Sequence, residues 1–200
     1  MIRPPTRRVL AVVAMLAAAV GVWQLASGIW IPAKAALAQV LLDRAWLEAG
    51  AGTQRPKPWP WADTWPVARL DFPHASRSMV VLAGATGRTL AFGPGHHDGT
   101  PRPGRPGRAL VSGHRDTHFR LLESIRPGDA VIAETPAGKR ITYRVTGREV
   151  VDGRRARLPA TGDGRSMTLV TCYPFDALLP GGPLRLLVHA EAEPPLPPSS

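Results

Sequence analysis

Hydrophobic positions in the first fifty residues do not alternate with polar ones; they run together. Val9 to Ile31 is apolar apart from Gln24, Ser27 and small residues. As a helix rising about 1.5 Å per residue, the run reaches roughly 35 Å, enough to cross a hydrocarbon core of about 30 Å. From Ala33 to Ala49 the period changes. Leu37, Val40, Leu41, Ala45 and Leu47 form an apolar face, and Lys34, Asp43, Arg44 and Glu48 a polar one. That pattern predicts an amphipathic helix, and Gly50-Ala51-Gly52 ends it.

Between Gln54 and Pro66 four prolines stand among Trp59, Trp61 and Trp65. Proline fixes φ and favours extended backbone, so the segment reads as a stiff connector. Its rings serve either to pin it onto a folded domain or to receive a ligand or partner. Beyond it the period drops to two. Strands are predicted at 67–72, 78–83, 109–112, 129–134, 140–151, 166–171 and 184–190. The clearest is the alternation of Ile141, Tyr143 and Val145 with Thr142, Arg144 and Thr146. Pro127-Gly128-Asp129 and Pro136-Ala137-Gly138 read as turns. One helix is expected over roughly 117–125, with Phe119, Leu121, Leu122 and Ile125 as its apolar set. Many short strands and few helices in this span predict an all-β fold, a small barrel or sandwich. The Pro- and Ser-rich residues 191–200 read as a disordered tail. The expected organisation is 1–31 cytoplasmic tip and transmembrane anchor, 32–65 juxtamembrane helix and connector, 66–190 folded domain, 191–200 tail.

Composition narrows the function. Hydrophobic residues are 44% of 200, so the chain as a whole is not disordered. The net charge of +10 permits an anionic partner, but the arginines are scattered and no nucleic-acid-binding motif appears, so no nucleic acid is expected. Arg3, Arg7 and Arg8 precede the apolar run, which predicts a cytoplasmic N-terminus and an exported remainder. A cleaved signal peptide would export it too, with Ala36-Leu37-Ala38 as the cleavage site. One cysteine excludes a disulfide framework.

That cysteine, Cys172, ends the apolar strand Met167-Thr168-Leu169-Val170-Thr171. Buried, it would be an inert small hydrophobe; exposed after export, it reads as a nucleophile. A thiol nucleophile needs a base or cation beside it. His114 follows the end of another strand, Ala109 to Ser112, and can meet it. Arg185 interrupts the apolar strand Leu184 to Val188. It is either an outward residue with a solvated tip or the cation for a developing oxyanion. His96, His97, His114 and His118 lack the acidic partners that would complete a metal site.

Taken in order, these pieces resemble the sortases. Gly113-His114-Arg115-Asp116-Thr117-His118-Phe119 is similar to their histidine signature and Thr168-Leu169-Val170-Thr171-Cys172 to their TLxTC nucleophile motif. Arg185 matches the family's arginine in position, and the likeness spans about 66–189. Lys34-Ala35-x-Leu37-Ala38-Gln39 and the stretch 57–65 resemble the proteobacterial branch. The resemblance implies an eight-stranded β-barrel with short helices behind a transmembrane helix. It implies a cysteine transpeptidase, with Cys172 as nucleophile, His114 as acid and Arg185 steadying the substrate. Thr171 would assist at the substrate, and Asp116 and His118 would orient rather than react. The expected partners are a protein with a C-terminal LPxTG-like sorting signal and an amine acceptor, at the inner membrane. No metal or organic cofactor is implied. Two alternatives remain: a membrane-tethered, non-catalytic binding domain, and a hydrolytic or L,D-transpeptidase-like cysteine enzyme.

Overall fold

A computed structural model of the chain describes residues 4–157, 164–177 and 181–194. The chain divides into two contact units, Met1–Val40 and Leu41–Ser200. Helix α1, Pro4–Gly50, runs through both the apolar run and the amphipathic stretch that continues it. Pro32 lies inside it. A proline removes one helical hydrogen bond and costs about 3 kcal/mol. Here Ala33, Ala35, Ala36, Leu37 and Ala38, strong helix formers, carry the helix on. In the first unit, Arg7–Leu25 is long and apolar enough to cross a membrane. Its large side chains are exposed, Trp23 by 73% and Leu25 by 71%.

In the second unit the last turns of α1 bury Leu42 and Trp46 with Val80 and Leu82, and Phe92 packs beside them. Arg69 Nη2 donates to Asp43 at 2.6 Å and its guanidinium lies over the Trp46 ring. The Trp-rich connector is fastened by its rings. Trp59 meets Phe92 edge-on at 4.7 Å, Arg55 stacks on Trp65, and the Thr64 hydroxyl donates to the Ala83 carbonyl at 2.7 Å. Trp61 alone of the three stays outside, 82% exposed.

Eight strands follow: β1 Pro66–Phe72, β2 Arg77–Ala83, β3 Gly95–His96, β4 Gly107–Ser112, β5 Ala130–Glu134, β6 Arg140–Asp152, β7 Arg165–Cys172 and β8 Leu184–Ala192. They close a barrel in the order β1-β2-β3-β4-β7-β8-β6-β5, which returns to β1 through its pairing with β5. Only β2–β3 and β4–β7 pair in parallel. Alternation sends Leu70, Phe72, Val111, Val131, Tyr143, Leu169 and Val188 inside, each fully buried. Each such side chain contributes about 1.5–3 kcal/mol by leaving water.

Seven of the strands match the sequence reading to within two residues, and four details correct it. β3 was not expected. It is two residues long, too short for any period, and Gly95 is there because a Cβ would overlap the Gly84 carbonyl oxygen. The helix expected over 117–125 is instead a run of turns ending in a 3₁₀ turn, Arg120–Glu123. Its fully buried residues are Phe119, Leu122 and Ile125, spaced by three, the 3₁₀ period rather than 3.6. A one-turn helix α2, Gly87–Leu90, was also unforeseen; the Thr86 side chain caps it, accepting from the Thr89 amide. At the far end β8 runs to Ala192, so the first two residues of the expected tail are strand. Residues 195–200 of that tail lie outside the described residues.

Candidate active site

Neighbouring parallel strands bring their C-terminal ends to one pole. β4 and β7 pair through Ser112 opposite Val170, and the pairing outlasts the strands. The Gly113 amide donates to the Val170 carbonyl at 3.0 Å, and the Thr171 hydroxyl donates to the Gly113 carbonyl at 2.8 Å. His114 therefore leaves β4 level with the end of β7, one strand spacing (about 4.8 Å) to the side. The chain then curls back on it, because the Phe119 amide donates to the His114 carbonyl at 3.0 Å. The Phe119 ring lies under Gly113, where a Cβ would stand 2.7 Å from two ring carbons. Only glycine fits before His114 while that ring is in place.

β8 lies on the other side of β7. Its antiparallel register sets Arg185 directly opposite Cys172. Facing residues in a ladder share a face of the sheet. Met167, Leu169, Leu186, Val188 and Ala190 point into the barrel core, so alternation puts Cys172 and Arg185 on the outer face. Cys172 is half-buried and His114 exposed. The structure thus gathers His114, Cys172 and Arg185 at the ends of three adjacent strands.

Arg185 is partly occupied. Its Nη1 donates to the Gly182 carbonyl at 2.6 Å and the Leu184 carbonyl at 2.8 Å. Among the described residues, Nε and Nη2 are left for another acceptor. Gly153 fixes where this side chain runs. A Cβ at 153 would lie 2.9 Å from Arg185 Cγ, and the Gly153 amide donates to the Pro183 carbonyl. Thr171, expected to assist at the substrate, spends its buried hydroxyl on Gly113 and so joins the two strand ends.

The charges near His114 follow from these contacts. The hydrogen bond from Arg115 holds the Asp116 carboxyl below its ordinary range; burial opposes this, and the Arg115, Arg120 and His114 charges reinforce it. Burial lowers the His118 imidazole, helped by His114 and Arg77 and opposed by a hydrogen bond with the Phe92 backbone. Away from these groups, His96 Nε2 is 3.0 Å from the Pro101 carbonyl, and His97 Nε2 is 2.7 Å from Ser112 Oγ.

Several contributors escaped the sequence reading: Gly113 with Phe119, Gly153, and the arginines Arg115 and Arg120. The Gly-His pair was a visible signal for the first. Arg115 stood in the histidine signature without a role of its own, and nothing local marks Gly153 or the distant carbonyl that Arg120 holds. Chemically, the site offers a thiol that can attack a carbonyl, an imidazole that can move a proton and a guanidinium that can hold a developing oxyanion.

Comparison with known proteins supplies the family. The sequence profile of the sortase domain matches residues 70–193, more than half of the chain. Sortase D of Bacillus subtilis (strain 168) is 26% identical over 123 residues, 61% of either chain. Among solved structures, sortase A from Corynebacterium diphtheriae superposes with a TM-score of 0.60 at 26% identity, covering 70% of this chain and 66% of that one. Sortase C-1 from Actinomyces oris gives 0.56 at 29% identity, covering 64% and 75%. The chain thus spans just under two thirds of the first two relatives. A domain-wide profile match, a closed eight-stranded barrel and a cysteine, histidine and arginine at one pole place the chain in the sortase family.

Proposed function

We propose that the chain is a membrane-anchored cysteine transpeptidase acting on a C-terminal sorting signal of the LPxTG kind. The observation that carries the reading is the pairing of Cys172 with Arg185 across β7 and β8, with His114 leaving the neighbouring strand level with Cys172. In the proposed cycle the Cys172 thiolate adds to the threonyl carbonyl of the signal, and Arg185 donates to the oxygen that gains charge. The carbon–nitrogen bond then breaks, and His114 gives its proton to the departing amine. A thioester on Cys172 remains. An incoming amine attacks it, forming a new amide and releasing the thiol; water in that role would give the free acid. Thr171 supports the cycle from behind, by tying Gly113 to the end of β7.

In this reading residues 1–31 hold the chain in the inner membrane with the N-terminus in the cytoplasm. Residues 32–65 connect, and 66–192, through the end of β8, form the catalytic domain on the extracytoplasmic side. The apolar stretch Arg7–Leu25 supports the anchor. The proteobacterial assignment belongs to the same proposal. The reaction draws on no metal or organic cofactor.

The test is cleavage of a panel of LPxTG-type peptides by the full chain in detergent, with and without an added amine. Cys172→Ala is expected to abolish turnover. His114→Ala should slow it by about 10²–10⁴-fold and Arg185→Ala by about 10²–10³-fold, the usual cost of losing a proton donor or an oxyanion donor. Wild-type rates in a folded Cys172→Ala variant would overturn the reading.

A further inference from the structure

Arg115 is a charged side chain in an unlikely place: it follows exposed His114 directly, yet is itself only 8% exposed. Burying a guanidinium is costly unless its donors are met. Arg115 meets them in two directions. Toward its own turn it forks onto Asp116, Nε to Oδ1 at 2.7 Å and Nη2 to Oδ2 at 3.1 Å. Toward the segment after Cys172, Nη1 donates to the Pro174 carbonyl at 2.6 Å and Nη2 to the Ala177 carbonyl at 3.1 Å. Arg120, from the same His114 segment, donates to the Phe175 carbonyl between them at 3.0 Å and places its guanidinium over the Phe175 ring. Three carbonyls within five residues of Cys172 are thus held by two arginines within six residues of His114.

From this arrangement we infer that Arg115, aligned by Asp116 and aided by Arg120, is a positioning residue that locks the segment after Cys172 to the turn carrying His114, and so fixes the thiol relative to the proton donor. The inference rests on the acyl-transfer reading above. The strand ladder alone ends too early to do this work. β4 stops at Ser112 and β7 at Cys172. Below the two residues the Gly113 and Thr171 bonds fasten the chains; above them, among the described residues, the hydrogen bonds between the two segments come from the arginines. A planar fork spans a carboxylate and two carbonyls at once; a lysine cannot, and a neutral amide has too few donors.

A residue that positions the acid against the nucleophile matters most when the leaving group needs a proton. The experiment therefore compares, in the full chain, an LPxTG-type peptide amide turned over by the wild type with an activated phenyl ester of the same acyl group, whose leaving group needs none. In Arg115→Gln we expect kcat for the amide to fall about 30-fold or more, as misplacing a catalytic group by an ångström does. The ester should lose less than about fivefold, and both KM values should stay within about threefold. Asp116→Asn, at an exposed carboxylate, keeps the test open if Arg115→Gln fails to fold; its amide-selective loss should be about 3–10-fold. Equal losses on amide and ester, or no loss in either variant, would overturn the inference while leaving the acyl-transfer reading intact. A wild type inactive on both substrates, with Cys172 unmodified, would overturn both.

Discussion

A missing methyl group decides where Arg185 can lie. Adding it, as in Gly153→Ala, would set a carbon 2.9 Å from Arg185 Cγ and 3.2 Å from the Pro183 carbonyl oxygen. The side chain would have to leave its present path along β8. We expect kcat/KM on a cleaved peptide to fall about tenfold, with little change in Tm, because the misplaced group belongs to the site and not to the core. Unchanged kcat/KM would mean that Arg185 does not act from this position. The titrating residues make a second prediction. His97 is lowered by burial, then by His96, against Asp98, and His118 by burial, then by its cationic neighbours. The folded protein resists protonating both, whereas the unfolded chain takes up protons near the ordinary histidine value of about 6.5. Their contribution to stability is complete above that pH and is lost as the pH falls toward the lowered folded values. Asp116 adds a loss of the same sign below about pH 4, where the unfolded carboxyl protonates first. Urea unfolding at pH 7.5 and 5.5 should show the lower stability at 5.5; equal midpoints would contradict it. At this scale the sequence was readable where the candidate residues sit at strand ends. Cys172, His114 and Arg185 stood out because each breaks or closes an apolar strand. Arg115 did not, because its burial depends on carbonyls 59 and 62 residues further on.

At the scale of an element, the turn after His114 is held by one ring. Phe119 is fully buried, meets Phe72 edge-on and fills the space against Gly113. Phe119→Ala is expected to cost about 3–5 kcal/mol, the usual loss for a buried aromatic. It should also slow amide cleavage in the fraction that remains folded, because Gly113 and His114 lose their support. Denaturant unfolding with activity measured on the folded fraction checks both; a cost below about 1 kcal/mol would show that the ring does not organise the turn. Strands were legible because a half-buried strand writes its two faces into alternate residues, as Ile141, Tyr143 and Val145 do. The turn was misread as α-helix because Phe119, Leu121, Leu122 and Ile125 fit a 3.6 period nearly as well as a period of three. Only the packing distinguishes them, by burying 119, 122 and 125 fully and leaving Leu121 at the edge.

For the whole molecule, the decisive feature is topology. Closing the barrel places β7 between β4 and β8, so two parallel ends and one antiparallel start meet at one pole. Alternation predicts which residues face in and which face out. It does not predict which strands become neighbours, since those pairings join residues up to about sixty positions apart. The sequence carried that information through its ordered resemblance to a family, not through its periodicity. The barrel, not any single strand, therefore brings Cys172, His114 and Arg185 to one pole. The most direct test is to incubate the full chain with an LPxTG-type peptide, quench in acid, and map the product by mass spectrometry. The account predicts the acyl half of the peptide on Cys172, removable by hydroxylamine and absent in Cys172→Ala. A folded protein that cleaves the peptide with Cys172 unmodified, or that carries the acyl group on another residue, would contradict it.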